Sequence, residues 1–277
     1  MTPAEPAPLR SGDTGEVLHF AHANGLPAAC YAPLLDRLAE RHRVVAIANR
    51  SAWDPEVPAD LDGWRPFAAD LLAGLDTHEG PEARLVGVGH SLGAVTTLFA
   101  ALQQPERFRA LVLIEPVFLS PTLLAFLRLA PRWLRRRSAI AKRAARRRET
   151  WETLDAAFDF FRSKALFWRF DDQTLRSCVE AIVRPDDAVG YRLVIDRRWE
   201  SAIFASPPQV WRSVAQNRIR TLAIRGEDSK TLTPEAWDRW KSASGPGDIF
   251  AEIPKTGHLA PLEAPEQVAD LIAGFLA

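Results

Sequence analysis

A serine flanked by two glycines stands in the segment Gly89-His90-Ser91-Leu92-Gly93, directly after the apolar run 85–88 and directly before a segment of helical period. A G-x-S-x-G pattern between a strand and a helix places the serine on a sharp turn with its hydroxyl exposed, because side chains at the glycine positions would collide with neighbouring backbone. The helix behind the serine directs backbone N–H groups toward developing negative charge. The pattern can arise by chance, but its flanking strand and helix favour a nucleophilic Ser91.

A serine nucleophile needs a general base, and His258 is the histidine best placed to act as one. It ends the segment Lys255-Thr256-Gly257-His258, which follows the apolar run 249–253, so it lies at the carboxyl edge of a predicted parallel sheet. The chain order, serine before histidine, also fits. A histidine such as His19, inside a predicted strand, is expected to serve packing. The sequence therefore predicts that His258 removes the Ser91 proton.

Two carboxylates compete to hold the imidazole tautomer and to stabilise its charged form. Glu115 ends the apolar run 111–114, and Asp228 follows the run 222–224. Each of them follows a predicted strand in the chain. Both carboxylates are therefore candidates for the triad acid.

Apolar runs of strand length alternate with segments of helical period along the chain. This pattern predicts a parallel sheet covered by helices on both faces, and such a sheet would position the candidate residues. The alternation stops between residues 118 and 217, where apolar and aromatic residues recur at helical spacing. We therefore predict an α/β core at 16–117 and 218–277, a helical cap at 118–217 and a disordered tail at 1–15. Strands are predicted at 17–20, 44–48, 85–88, 111–114, 222–224 and 249–253, and helices at 31–41, 64–77, 92–103, 234–242 and 265–276.

From residue 16 onward the chain resembles the α/β-hydrolase superfamily, in particular its esterase, lactonase and epoxide-hydrolase-like branch with a helical cap. The resemblance rests on the serine turn, on His258 and on Asn24-Gly25-Leu26-Pro27, which occupies the place of a His-Gly-x-Pro turn in that family. It implies the α/β-hydrolase fold, with a mostly parallel sheet, helices on both faces and a cap after the sixth family strand. It also implies oxyanion donors at the backbone N–H groups of Leu26 and Leu92, although Asn24 departs from the family's histidine.

The resemblance also bears on the choice of acid. Relatives commonly place the acid three residues beyond a glycine after the seventh strand, where this chain has Ser229, with Asp228 one residue earlier. Some dehalogenases and lactonases instead carry a glutamate at the end of the sixth strand, which is the position of Glu115. We favour Glu115 narrowly and keep Asp228 as the alternative.

The expected activity is that of a serine hydrolase. Ser91 attacks the carbonyl of an ester, thioester or lactone, an acyl-enzyme forms and water releases it, with no metal or organic cofactor. The aromatic residues of the cap imply a small-molecule substrate with an apolar or aromatic portion, and Asn24, His90 and Trp53 are candidates for its pocket. Two alternatives stay open: a non-catalytic small-ligand receptor on the same fold, and a lyase or cofactor-free peroxidase.

Composition bears on partners and compartment. Lysine plus arginine number 35 and aspartate plus glutamate 35. The chain as a whole therefore has no net positive charge that would favour binding to nucleic acid. Without a run of membrane-span length or a signal-peptide pattern, and with only Cys30 and Cys178, the chain is expected in the cytoplasm. For the Arg-rich stretch 132–148 we expect a solvated helix face rather than membrane contact. The oligomeric state stays open.

Overall fold

A mostly parallel sheet forms the centre of the computed structural model, which describes residues 6–58 and 61–277. The described strands are β1 (Leu9–Ser11), β2 (Val17–Ala21), β3 (Arg43–Ala46), β4 (Leu85–His90), β5 (Phe108–Ile114), β6 (Thr150–Trp151), β7 (Val183–Asp186), β8 (Gly190–Leu193), β9 (Thr221–Gly226) and β10 (Ile249–Ile253). Seven of them form the central sheet in the order β1-β3-β2-β4-β5-β9-β10. All its neighbours pair in parallel except β1, which runs antiparallel to β3.

Helices cover both faces of this sheet, as the sequence predicts. Side chains of β5 alternate between two apolar clusters, with Val112 and Ile114 in one and Leu111 and Leu113 in the other, because successive residues of a strand point to opposite faces. The described helices are α1 (Ala32–Ala39), α2 (Arg65–Glu79), α3 (Leu92–Gln103), α4 (Pro121–Leu129), α5 (Arg132–Arg135), α6 (Ala139–Ala145), α7 (Leu154–Arg162), α8 (Asp172–Ile182), α9 (Arg197–Ala205), α10 (Trp211–Gln216), α11 (Pro234–Ala243), α12 (Ala260–Glu263) and α13 (Pro265–Leu276). Short 3-10 helices lie at Ala28–Tyr31, Arg50–Ala52, Pro105–Arg107 and Ala165–Phe167.

The expected disordered tail at 1–15 needs a correction. Residues 1–5 lie outside the described residues, but β1 occupies part of the remainder and pairs with β3. This pairing satisfies backbone groups of β3 that would otherwise form an open sheet edge. Gly12, at φ 75°, turns the chain back, and a Cβ there would lie 2.4 Å from the carbonyl oxygen of His42. Three residues of mixed polarity give too short an apolar run to be recognised as a strand.

The segment between β5 and β9, predicted as a helical cap, contains α4 to α10 and also a small antiparallel sheet in the order β6-β8-β7. The sequence missed these strands because each has a single buried apolar residue, namely Trp151, Val183 and Leu193. Gly190, at φ 86°, is the first residue of β8 and pairs with Asp186 directly after the tight turn that joins β7 to β8. Several cap aromatics pack ring to ring, in a chain formed by Trp151, Phe160, Phe161, Phe167 and Phe170.

Membrane spans were searched for among the described residues. No helix there combines the length and the apolar composition that a bilayer crossing requires.

Candidate active site

The candidate site lies at the carboxyl edge of the central sheet, where β2, β4, β5, β9 and β10 end side by side. Ser91 directly follows β4, and Glu115 directly follows the neighbouring strand β5. The loop after β10 carries His258. Parallel strands bring residues that are far apart in sequence to one edge, and that edge is where open α/β sheets bind their ligands.

Ser91 occupies the sharp bend that the sequence predicts between β4 and α3. Its φ of 56° and ψ of −113° lie outside the usual regions for a residue with a side chain. A Cβ on Gly89 would lie 2.4 Å from the Gly93 carbonyl oxygen, and one on Gly93 would lie 2.0 Å from that of Ala21. The Ser91 N–H donates to the Ile114 carbonyl oxygen at 3.0 Å and ties the bend to β5. Both glycines are therefore required by the close approach of backbone.

His258 bridges the serine and the glutamate. Its Nε2 lies 3.0 Å from Ser91 Oγ, and its Nδ1 lies 3.0 Å from Glu115 Oε2. Because the carboxylate only accepts, Nδ1 carries the proton, and Nε2 presents its lone pair to the serine hydroxyl. This arrangement allows the imidazole to take a proton from Ser91 while the glutamate stabilises the imidazolium that results.

Glu115 is fully buried and accepts hydrogen bonds on both carboxylate oxygens. The Gly226 N–H donates to Oε1 at 2.7 Å, and the Ser229 hydroxyl donates to Oε2 at 2.5 Å, beside the bond from His258. The φ of 48° at Glu115 bends the chain sharply after β5. A buried carboxylate is costly unless it is satisfied in this way, and these donors also fix its orientation toward the imidazole.

Asp228, the alternative acid, is directed elsewhere. Its Oδ2 lies 2.5 Å from Arg169 Nη2, its side chain is 50% exposed, and its N–H donates to the Thr256 carbonyl oxygen at 2.9 Å. The next residue, Ser229, points inward to Glu115. Adjacent residues of this turn face opposite directions, so the structure joins Asp228 to the cap rather than to His258.

The two predicted oxyanion donors lie on adjoining turns. Leu92 is the first residue of α3, where backbone N–H groups have no intrahelical partner. Leu26 lies in the turn after β2, and its N–H is 3.5 Å from the Ala23 carbonyl oxygen, at the long limit of a hydrogen bond. The close approach of Gly93 to the end of β2 packs these turns together. The assignment of these two N–H groups as oxyanion donors stays a prediction.

Tyr31 and His90 form a hydrogen-bonded chain between the Leu26 turn and the His258 loop. His90 Nε2 donates to the His258 carbonyl oxygen at 2.8 Å, so His90 Nδ1 accepts from the Tyr31 hydroxyl at 2.7 Å. The Ala23 N–H donates to the same Tyr31 oxygen at 3.4 Å. Burial, and then the nearby His258, hold the pKa of His90 well below its ordinary value, so its ring is neutral.

Three residues are expected in a substrate pocket, and that role stays a prediction for each of them. His90 is fully buried and supports the His258 backbone as described. Asn24 donates to the Glu200 carbonyl oxygen at 3.3 Å and so contacts α9 of the cap. Trp53 lines a cavity of about 380 Å³ between the loop after β3 and the cap sheet, a cavity whose lining residues do not include the triad. Their positions depend on tertiary contacts that local sequence does not encode.

Sequence reasoning gave no role to two residues that the structure brings to this site. Ser229 had a usable signal, because it stands three residues beyond Gly226, where relatives commonly carry the acid. Tyr31 had none, because its partner His90 is 59 positions away in the chain. Among the described residues, no group of His, Cys, Asp and Glu side chains is arranged to hold a metal ion.

The serine bend, the histidine loop and the sheet are features of one enzyme family. Residues 20–271 match the family model described as "Alpha/beta hydrolase family". The chain therefore belongs to this family of hydrolases, and both the resemblance and the predicted fold class are confirmed.

Individual relatives are more distant. The chain is 25% identical over 229 residues to the Abhydrolase domain-containing protein ACTT2-1 of Alternaria alternata, covering 69% of this chain and 82% of that protein. It is 35% identical over 119 residues to the Type I acyl-CoA thioesterase mpaH of Penicillium roqueforti, covering 38% of this chain and 28% of that one. The solved structure of E-2-(Acetamidomethylene)succinate Hydrolase superimposes with a TM-score of 0.78 at 22% identity, covering 96% of this chain and 93% of the other.

Proposed function

We propose that this α/β-hydrolase is a serine hydrolase that cleaves a carboxylic ester, a thioester or a lactone through an acyl-enzyme on Ser91. The observation that carries the proposal is the continuous chain of contacts from Ser91 Oγ through both nitrogens of His258 to Glu115. A serine hydroxyl is a weak nucleophile unless a base stands within hydrogen-bond reach, and that base needs a third group to orient it. The distances from Ser91 to His258 and from His258 to Glu115 support the proposal on both requirements.

In the proposed mechanism, His258 Nε2 takes the Ser91 proton as Oγ attacks the substrate carbonyl carbon. The negative charge that develops on the carbonyl oxygen is stabilised by the N–H groups of Leu26 and Leu92. When the tetrahedral intermediate collapses, the imidazolium gives its proton to the departing alcohol or thiol, and the acyl group stays on Ser91. His258 then activates a water molecule that releases the acid and restores the serine. Glu115 stays ionised throughout.

The substrate class rests on two supports. One relative is named as an acyl-CoA thioesterase, and for this reason we include thioesters among the candidate substrates. The apolar or aromatic portion of the substrate rests on the aromatic residues of the cap. The cap aromatics described above pack on one another, so they give less support to an aromatic substrate than their number in the sequence implies.

The proposal is tested by a panel of p-nitrophenyl esters from acetyl to dodecanoyl, with acyl thioesters and lactones alongside. We expect turnover of at least one class by the wild type, and a loss of roughly 10⁴-fold or more in Ser91→Ala. Thr97→Ala, which changes a buried hydroxyl on α3 outside the triad, is the matched control and is expected to keep most of the activity. A folded wild-type protein that binds these compounds without turning them over would overturn the proposal in favour of a receptor.

A further inference from the structure

The cap carries one segment whose charge differs sharply from that of the rest of the chain. Residues 121–148, here called the basic cap segment, contain ten basic residues and no acidic one, although the whole chain has a formal net charge of zero. Lys142, Arg143 and Arg146 on and just after α6 are exposed. The basic residues are Arg128, Arg132, Arg135, Arg136, Arg137, Lys142, Arg143, Arg146, Arg147 and Arg148.

The same segment also exposes large apolar side chains. Nine such side chains are exposed among the described residues, and six of them lie in these 28 positions. Their concentration in one segment separates them from the single exposed leucines that are ordinary on protein surfaces. They are Leu123 (43% exposed), Phe126 (65%), Leu129 (86%), Trp133 (58%), Leu134 (42%) and Ile140 (54%).

The apolar and basic side chains are interleaved in a way that suits the boundary of a bilayer. Leu123, Phe126 and Leu129 recur every three residues along α4, which places them on one stripe of that helix. The guanidinium of Arg137 lies 5.2 Å from the ring centre of exposed Trp133. Exposed apolar residues next to a Lys/Arg-rich polar face are typical of helices that lie in a membrane interface, and tryptophan is enriched at that depth.

We propose that the basic cap segment binds the surface of an anionic lipid membrane. Arg135 and Arg147 already pair with Asp62 and Glu200. Anionic headgroups complement the exposed basic side chains such as Lys142 and Arg143, and the interface accepts the apolar ones. A second copy of this chain is disfavoured as the occupant, because two such faces would bring like charges together. The sequence led us to expect a solvated face here, and the exposed apolar side chains, which the sequence does not reveal, favour the membrane.

The segment also has a position that is relevant to the active site. Helix α4 begins six residues after Glu115, at the carboxyl end of the central sheet. A membrane under this segment therefore lies at the same end of the molecule as Ser91. An apolar substrate dissolved in that membrane would be concentrated near the site. This consequence depends on the proposed function, whereas the binding itself does not.

The test measures co-sedimentation with vesicles of phosphatidylcholine alone and of phosphatidylcholine mixed with phosphatidylserine. We expect the wild type to bind only the mixed vesicles at low salt, and to be released at about 1 M NaCl, where the Debye length is about 3 Å. The double variants Phe126→Ser/Leu129→Ser and Lys142→Glu/Arg143→Glu are each expected to weaken binding by about tenfold or more.

Matched controls lie at the opposite edge of the sheet. Arg41→Glu/Arg84→Glu reverses two exposed charges just before β3 and β4, and Ile249→Ser removes an exposed apolar residue at the start of β10. Both control proteins are expected to bind as the wild type does, and circular dichroism checks that every variant is folded. The proposal fails if the folded wild type does not bind anionic vesicles at low salt, or if the two double variants of the basic cap segment bind as well as the controls. It also fails if the wild type binds polyglutamate but not vesicles, which would indicate an acidic protein partner.

Discussion

At the scale of single residues, the site depends on two strained positions. Ser91 and Glu115 each follow a strand directly, and each has a positive φ, at 56° and 48°. Such conformations cost on the order of 1–3 kcal/mol each and persist only where the surroundings enforce them. Here the strain directs a hydroxyl and a carboxylate toward the same imidazole, so the cost to stability supports the proposed chemistry.

The choice of acid is tested by paired amide substitutions. Glu115→Gln keeps the size of the side chain but allows it to hold the wrong imidazole tautomer, and we expect kcat to fall by about 10⁴-fold. Asp228→Asn changes a half-exposed partner of Arg169 and is expected to alter kcat by no more than a few-fold. Steady-state kinetics on the best ester of the panel provide the measurement. A loss in Asp228→Asn equal to that in Glu115→Gln would contradict the assignment.

The sequence offered candidates for all three triad positions, but it did not decide between the two candidate acids. Ser91 and His258 could be predicted because each needs only a strand before it and the right residue type. Glu115 and Asp228 met that condition equally well, and the direction of each side chain depends on a backbone bend that residue types do not specify. The supporting bond from Ser229 depends on the same bend. These details required tertiary structure.

At the scale of elements, buried strands were the most predictable features. The run predicted at 111–114 lies within β5, and the run predicted at 85–88 lies within β4, because strands buried on both faces are continuously apolar. β4 continues through Gly89 and His90, which pair with β5 although neither is part of the apolar run. The cap strands were missed for the opposite reason, since two-sided burial is absent there.

Two elements at the site are coupled through Tyr31, which we propose as a positioning residue. Tyr31→Phe keeps the ring that packs 4.7 Å from Phe20 but leaves His90 Nδ1 and the Ala23 N–H without their partner. We expect kcat to fall about tenfold with KM nearly unchanged, and the free energy of unfolding to fall by about 1–2 kcal/mol. Tyr191→Phe, in the cap sheet, is the control and should leave kcat unchanged. An unchanged kcat in Tyr31→Phe, despite lower stability, would reduce Tyr31 to a packing residue.

At the scale of the whole molecule, charge and burial are unevenly distributed. The whole chain has a formal net charge of zero, although the basic cap segment is strongly positive. The core, in turn, encloses histidines, and His19, His22 and His90 are each exposed by no more than 2%. Desolvation lowers the pKa of all three, that of His19 to about 3. Stability therefore depends on pH through groups that the proposed chemistry does not ionise.

The sign of that dependence follows from linkage. The folded-state pKa of each buried histidine lies below that of the unfolded chain, so only the unfolded chain takes up the proton as pH falls through about 6.5. The contribution of each buried histidine to the free energy of unfolding is therefore fully present above that pH. At lower pH this free energy falls by up to about 1.4 kcal/mol per pH unit for each histidine.

Urea unfolding at a series of pH values between about 7 and 5 measures this slope, since few carboxylates titrate in that range. His19→Gln is expected to remove the contribution of one proton, because glutamine does not ionise. Thr97→Ala, a buried change that removes no ionisable group, serves as the control and should leave the slope unchanged. If His19→Gln and the wild type had the same slope, His19 would not be the neutral buried group described here.

The central claim is that His258 activates Ser91, and covalent labelling with a fluorophosphonate tests it most directly. Intact-mass and peptide analysis are expected to show one adduct, on Ser91, that is absent in Ser91→Ala and forms at least about 10³-fold more slowly in His258→Gln. A folded wild-type protein that acquires no adduct, or an adduct that persists in Ser91→Ala, would contradict the account.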